Sequence, residues 1–343
     1  MVVLYWSYCC DSISQFLKRG NSLGKPYISE LEKLPETYAW AMNTCIESLA
    51  KVLTASLSLP ILATGSGGSL TAAHFASWLH QRYAGKIAKA VTPFELVSSA
   101  SSVKGVSVLM LSAGGGNPDI IGAFKQIVAR EPQRLIVICS RKKSPLSQLA
   151  KSYRYVDLVD FDLPSGKDGF LATNSLLAFN IILCRAWATA LSIKIDLPQN
   201  IDSLVHPNAL SGEFFAKLAD ICFPLWQQET ISVLYGPTSY SAAIDLESKF
   251  TEAALGAVQI ADYRNFAHGR HHWLAKHGQT TGVLAFVTED DREIANKTLR
   301  LIPSNIPVVR IDIPSGGLRA SLASLVTVLH LAGFAGMARG IDP

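Results

Sequence analysis

The chain has 343 residues, of which 49% are hydrophobic and 17% charged; that is enough apolar content for a sizeable core and enough length for two domains. Its net charge of +4 suits an anionic substrate but is too small and too dispersed for a nucleic-acid surface. No run of about 18 apolar residues of the bilayer-spanning kind is apparent. The six cysteines, at positions 9, 10, 45, 139, 184 and 222, lack C-x-x-C spacing and read as reduced thiols of a cytoplasmic protein.

The opening MVVLYWSYCC is apolar, but it has no basic residue before it and no small-residue cleavage pattern, so it does not read as a signal peptide. Residues 1–28 form an N-terminal extension containing the linker-like Gly20-Asn21-Ser22-Leu23-Gly24. From 29 to 57, Leu31, Leu34, Tyr38, Ala41, Ile46, Leu49 and Leu53 recur at helical spacing. Ser29 and Glu32 are spaced as a capping box, and a break is expected near Pro35.

Residues 59–63 predict a strand, and Gly65-Ser66-Gly67-Gly68-Ser69 leads from it into a helix over 70–82. A glycine-rich turn there lets backbone approach an anion while the helix start offers unpaired N–H groups. A dinucleotide site is not indicated, because Leu70 stands where G-x-G-x-x-G needs its third glycine. A second unit of the same form follows: strand 106–111, the loop Ser112-Ala113-Gly114-Gly115-Gly116-Asn117-Pro118-Asp119, and helix 120–129. Strands 135–140 and 156–161 come next, with a polar turn at 141–144, and then residues 166–174 open an apolar helix through Ala190. Strands alternating with helices at this spacing predict a parallel sheet that binds ligand at the carboxyl ends of its strands, where both glycine-rich loops fall.

Residues 196–210, with Pro198, Asn200, Pro207 and Asn208, separate this unit from a second of similar pattern. There the strands are expected at 231–234, 282–287 and 308–313, and helices at 291–301 and 318–338. After the turn Gly236-Pro237, a further helix has Ser239 or Ser241 available as N-cap. On it Asp245, Lys249 and Glu252 share one face at offsets of zero, four and seven. Spacing alone leaves two readings open, an ion-paired solvent stripe or a set of site residues. His268 follows sixteen positions after Glu252, with Gly269 next.

The order Asp-x3-Lys-x2-Glu-x15-His-Gly, behind strand–turn–helix signals, resembles the isomerase region of glucosamine-6-phosphate synthase. More broadly it resembles the double SIS (sugar isomerase) family, which includes fructosamine-6-phosphate deglycases. The resemblance implies an α/β fold of two SIS-type doubly wound parallel-sheet (flavodoxin-like) α/β/α domains in tandem, over 29–200 and 201–343. It implies that Glu252 shuttles a proton between C1 and C2 of a sugar phosphate, that His268 assists ring opening, and that Lys249 stands in the site. The substrate-binding positions it implies are Gly65, Ser66, Gly67, Ser69, Ser112, Gly114, Gly115, Asn117, Thr173 and Asp245. No cofactor or metal is implied. The implied partners are an anionic or phosphorylated sugar and a second copy of the chain, a homodimer in which the histidine loop completes the neighbour's site; neither nucleic acid nor membrane is expected.

The sequence departs from the family in several places. Where Ser-x-Ser-Gly-x-Thr-x-Asp or Glu is usual, Ser112 and Asp119 match, but Gly114 and Asn117 remove two hydroxyl donors. Asp168 stands for the acid of the third loop and Asn174 where lysine is common; Thr173, which matches, has an equal reading as a helix-start residue. Arg270-His271-His272-Trp273 replaces the usual proline and leucine after His-Gly. With His268 and His277 these make four histidines within ten residues, but without H-x-x-x-H on a helix and without a companion cysteine or carboxylate cluster they do not suggest a metal. The sequence has neither the synthase's lysine-bearing tail nor a glutamine-hydrolysing domain, so no glutamine-dependent synthesis is expected. Two functions are consistent with this pattern: an isomerase or deglycase working through an enediol or enolamine, or a non-catalytic sugar-phosphate sensor or assembly subunit.

Overall fold

Short apolar runs become strands, and every strand pair is parallel. The computed structural model describes residues 25–99, 103–206 and 211–343. The expectations for residues 1–24, including Cys9 and Cys10, and for Pro207 and Asn208 lie outside the described residues. Strands β1 (Ile61–Thr64), β2 (Ala88–Val91), β3 (Ser107–Ser112), β4 (Arg134–Cys139) and β5 (Val156–Asp160) form one sheet, in the order β2-β1-β3-β4-β5. A second sheet has the order β7-β6-β8-β9, from β6 (Thr230–Tyr235), β7 (Ala257–Asp262), β8 (Thr281–Val287) and β9 (Val308–Asp312). In each sheet the winding direction reverses beside the first strand, between β1 and β3 and between β6 and β8. Such a reversal leaves a crevice at the carboxyl ends.

Alternate side chains of a strand serve opposite faces. Leu109 and Leu111 of β3 join a large core with the helices Gly68–Leu79 and Asn174–Ala190. Val108 and Met110, facing the other way, pack on the helices Pro93–Ser99, Pro118–Val128 and Pro145–Lys151. The second sheet contributes Ile231, Val233, Leu284 and Phe286 to that same large core, together with Leu246 and Phe250 of helix Tyr240–Glu252. Its other face, with Leu234, Val283, Ala285 and Val287, is covered by Tyr263, Phe266 and Leu274. One shared core therefore joins the two sheets.

The final helix, Gly317–Arg339, falls where one is expected, at 318–338, but is more apolar than the sequence reading implied. By length and a mean hydropathy of 1.6 it qualifies as a membrane-spanning candidate, yet 83% of that window is buried inside the fold. A strict apolar run misses it because hydroxyls interrupt it. Ser324 and Thr327 donate instead to the carbonyls of Ala320 and Ala323, at 2.7 and 2.9 Å, so the helix is satisfied in an apolar setting.

Local corrections follow from competing hydrogen bonds. The capping box at Ser29 and Glu32 does not form, because the helix Tyr27–Leu31 already begins after Pro26 and the Ser29 hydroxyl donates to the Pro26 carbonyl at 2.7 Å. The break expected near Pro35 does occur, at Glu32–Lys33 between Tyr27–Leu31 and Leu34–Asn43; Pro35 itself lies in the first turn of the second helix, where its missing N–H costs nothing. Ser239 holds the N-cap position of Tyr240–Glu252 without capping it, since its hydroxyl pairs with Ser324 Oγ at 3.1 Å. Two edge strands, β2 and β7, were not expected from the sequence, and β7 falls within the stretch that the helical reading dominated. Among the described residues Cys45, Cys139, Cys184 and Cys222 are free thiols.

Candidate active site

The crevice between β1 and β3 is built from two glycine-rich loops that touch. A Cβ on Gly65 would stand 2.5 Å from the Ser69 backbone, so only glycine lets this turn close. Gly67, at φ +55°, starts the helix Gly68–Leu79, and no side chain caps its first amides. From the β3 loop, the Ala113 N–H donates to Ser69 Oγ at 3.3 Å. Within that loop the Gly115 N–H donates to Ser112 Oγ at 3.1 Å, and Asn117 Oδ1 accepts from the amides of Asp119 and Ile120 at 2.8 and 3.2 Å. The side chains of Ser112 and Asn117 thus organise their own loop.

The helix Tyr240–Glu252 runs antiparallel beside Gly68–Leu79. His74 meets Tyr240 edge-on at 5.6 Å, and the Thr71 hydroxyl donates to Asp245 Oδ1 at 3.3 Å. One turn further on, Lys249 Nζ donates to the Ala172 carbonyl at 2.6 Å and lies 3.1 Å from Asp245 Oδ2. Ala172 in turn presses on the start of the other helix, since a Cβ on Gly68 would come within 2.2 Å of the Ala172 Cβ. The Lys249 end of the helix therefore adjoins the Gly65–Gly68 turn. The ion pair is closed to water, with side-chain exposures of 3% for Lys249 and 1% for Asp245. Burial pushes the Asp245 carboxyl above the usual range, opposed by the charge and hydrogen bond of Lys249 and the hydroxyl of Thr71. Glu252, at the end of the helix, is exposed and accepts from the Ser248 hydroxyl at 2.5 Å.

The third loop is held from below. Asp168 accepts the N–H groups of Thr173, Asn174 and Ser175, each at 3.1 Å, and so caps the helix Asn174–Ala190. Thr173 is fully buried, its hydroxyl lying 3.2 Å from Asp168 and 3.3 Å from Glu30. Asn174 donates to the Glu30 carbonyl at 3.0 Å and accepts from Thr37 at 2.6 Å.

No family model matches the chain, and no curated protein matches it. Solved structures do, over nearly its whole length. The C-terminal domain of glucosamine-fructose-6-phosphate aminotransferase from Francisella tularensis superposes with a TM-score of 0.73 at 17% identity, covering 93% of this chain and 97% of that one. Glucosamine-6-phosphate deaminase from Thermotoga maritima gives 0.68 at 16%, covering 92% and 96%. Tagatose-6-phosphate ketose/aldose isomerase from Escherichia coli gives 0.66 at 16%, covering 92% and 94%.

The chain has the fold of the double-SIS proteins.

Within this SIS fold the expected site residues separate into two groups. Gly65, Ser66, Gly67, Ser69, Ser112, Gly114, Gly115 and Asn117 line the touching loops, and Asp245, Lys249 and Glu252 approach them from the neighbouring helix; Thr173 lies beneath, engaged with Asp168 and Glu30. His268 is apart. It is exposed, in the turn Phe266–Arg270 before Gly269 at φ +118°. That turn packs on one face of the second sheet and helix Tyr240–Glu252 on the other. Beyond it His271 stacks on His272 at 4.6 Å and Trp273 on His277 at 4.1 Å.

The second crevice, between β6 and β8, is filled by the chain's own carboxylates. Asp290 accepts from the Thr238 hydroxyl at 2.7 Å and the Gly317 amide at 2.8 Å. Asp291 packs so closely on Gly236 that a Cβ there would lie 1.8 Å from its Oδ2. An anion has no place there. A concavity of about 510 Å³ lined by Tyr27, Leu31, His330, Phe334 and Met337 lies elsewhere, against the last helix, and is almost wholly apolar. Sequence reasoning missed Thr71, the Ala172 carbonyl and Glu30. A backbone carbonyl carries no sequence signal, and the other two act only through contacts with distant segments.

Proposed function

We propose that this protein is a sugar-phosphate isomerase or deglycase of the SIS type, acting by proton transfer between C1 and C2 through an enediol or enolamine. The supporting observation is the placement of Glu252. It is an exposed carboxylate one turn beyond a buried ion pair, at the helix end that adjoins the first glycine loop. A general base needs reach and a fixed frame, and this arrangement supplies both. In the open-chain sugar Glu252 carries the proton between C2 and C1. In an aldose it goes from C2 to C1, and the O2 hydroxyl proton passes to O1. In a fructosamine it goes from C1 to C2, and the C2 carbonyl oxygen gains a proton as the enolamine forms. Lys249, tied to Ala172 and Asp245, fixes the turn from which Glu252 extends. Amides at the start of Gly68–Leu79 and in the β3 loop hold the anionic end of the substrate.

His268 of a second copy opens the sugar ring in a homodimer, because the two residues lie on opposite faces of one sheet within a chain. The reading takes 29–200 and 201–343 as the two SIS domains behind an extension of 1–28, and the reduced thiols fit the cytoplasm. A second reading, a sugar-phosphate sensor, is favoured by the loss of loop hydroxyls at Gly114 and Asn117. Solvent deuterium exchange at C2 across a panel of sugar phosphates separates the two. An enzyme washes label into C2, and its Glu252→Gln variant does not. A protein that binds the sugar phosphate without exchange at any pH is the sensor.

A further inference from the structure

The turn after β4 carries three consecutive cations, Arg141, Lys142 and Lys143, all exposed. Both ends of this turn are fastened to the glycine loop that has lost its hydroxyls. On one side the Ser140 N–H donates to the Ser112 carbonyl at 3.4 Å, and the Ser140 hydroxyl to the Ala113 carbonyl at 3.1 Å. On the other, the Leu146 N–H donates to the Gly115 carbonyl at 2.8 Å. Ser144 is packed so tightly on Gly115 that a Cβ there would lie 2.1 Å from its hydroxyl oxygen. The triad is thus a short bridge clamped along the edge of the candidate anion site. Lys143 is also held at φ +54°, a left-handed conformation that residues other than glycine seldom adopt and that tends to persist at functional positions.

The electrostatics are one-sided. Among the described residues no ion pair involves Arg141, Lys142 or Lys143, whereas Lys249 and Lys25 are paired with Asp245 and Glu30. The nearby carboxylates are Asp162, which accepts the Lys142 backbone N–H at 2.9 Å, Asp160, opposite Cys139 in the sheet and 3.3 Å from Lys151 Nζ, and Asp119, exposed in the first turn of Pro118–Val128. With Asp160 already paired with Lys151, three cationic heads against the two remaining carboxylates leave a net positive edge. Guanidinium and ammonium groups bind phosphoryl oxygens by charge-assisted hydrogen bonds, without needing the precise placement that hydroxyls require.

We propose that Arg141, Lys142 and Lys143 are the substrate-recognition element of this site, receiving a dianionic phosphoryl group in place of the two absent loop hydroxyls. The proposal rests on the sugar-phosphate reading above and names the residues that select for it. It assigns the selectivity to charge rather than to hydroxyl geometry, so binding weakens steeply with ionic strength.

The test is calorimetric titration of the full chain with inorganic phosphate at low and high salt. Lys142→Gln/Lys143→Gln is compared with Lys104→Gln/Lys125→Gln, which removes the same charge at the opposite ends of the β3 strand and the Pro118–Val128 helix. Two solvent-facing charge contacts are together worth about a factor of ten, so the first pair is expected to bind phosphate about tenfold more weakly, with a flattened salt dependence. Arg141→Gln shows a smaller loss in the same direction, and the control pair binds as wild type does. Equal affinity in both double variants, equal weakening in both, or no phosphate binding by the wild type overturns the proposal. Failure of the isomerase reading is distinguishable: phosphate binding that depends on Lys142 and Lys143 with no exchange at C2 leaves this proposal standing and removes catalysis.

Discussion

Lys249 and Asp245 form an ion pair 3.1 Å across that is closed to solvent where the helices of the two sheets meet. It joins three segments distant in sequence, because Asp245 also accepts from Thr71 and Lys249 also donates to Ala172. Removing one partner strands the other charge out of water, whereas removing both does not. Lys249→Met is therefore expected to lose about 3–5 kcal/mol of unfolding free energy. Asp245→Asn/Lys249→Met should recover most of it. Chemical denaturation of the three proteins checks this, and a single variant as stable as wild type would show that the pair is not a lock.

Glu252 stands in contrast to that pair. It is exposed and its hydrogen bond is to Ser248, a neighbour on its own helix. Glu252→Gln should thus change stability by less than about 0.5 kcal/mol, as surface substitutions usually do. Exchange at C2 should fall by about a hundred- to ten-thousand-fold, the usual contribution of positioned proton transfer. Glu247 is the nearest rival, accepting from Thr251 at 3.3 Å. Retained exchange in Glu252→Gln with loss in Glu247→Gln would move the base one turn back.

The i, i+4 spacing of Asp245 and Lys249 made their pairing legible, but not its burial. Burial depends on Ala172, 77 residues away, and on a helix from the other half of the chain. The central strands β1, β3, β4, β6 and β8 were legible as short apolar runs because both their faces are covered. Of the four edge strands, β5 and β9 were legible at 156–161 and 308–313, whereas β2 and β7 were not. Ala88-Lys89-Ala90-Val91 is only four residues long and carries a lysine, and most of β7 is only partly covered, so neither shows the pattern of a buried strand. The glycine loops were legible from composition, since Gly65 and Gly67 are required by close approach and positive φ. The face of the sheet on which His268 lies was not, because it depends on the route the chain takes after the unseen edge strand β7.

His330 stacks on Phe215 with ring centroids 3.6 Å apart, and burial pulls its pKa down to about 4. The depressed value means that the unfolded chain binds the proton more readily between pH 4 and 6.5, so stability falls as pH drops through that window and is regained above it. The contribution is at most roughly 3 kcal/mol, less what the solvent-facing edge of the ring screens. His330→Phe should flatten the difference between unfolding free energies measured at pH 7.5 and pH 4.5. An unchanged difference would show that the ring takes its proton without cost.

His268 and helix Tyr240–Glu252 sit on opposite faces of the second sheet, so the sheet stands between the proposed base and the proposed ring-opening group of one chain. If both serve one reaction, the histidine comes from a second copy, and the two defects should complement. Glu252→Gln and His268→Ala chains are each expected to turn over a ring-closed sugar phosphate poorly. When the two are co-refolded in equal amounts, roughly half of the twofold dimers are mixed, and each mixed dimer carries one site with both residues intact. Activity should then rise to about a quarter of wild type, while an open-chain analogue should be turned over by the His268→Ala protein without any partner. A mixture no more active than its separate components would place the two residues in different reactions, or would leave His268 outside the site altogether.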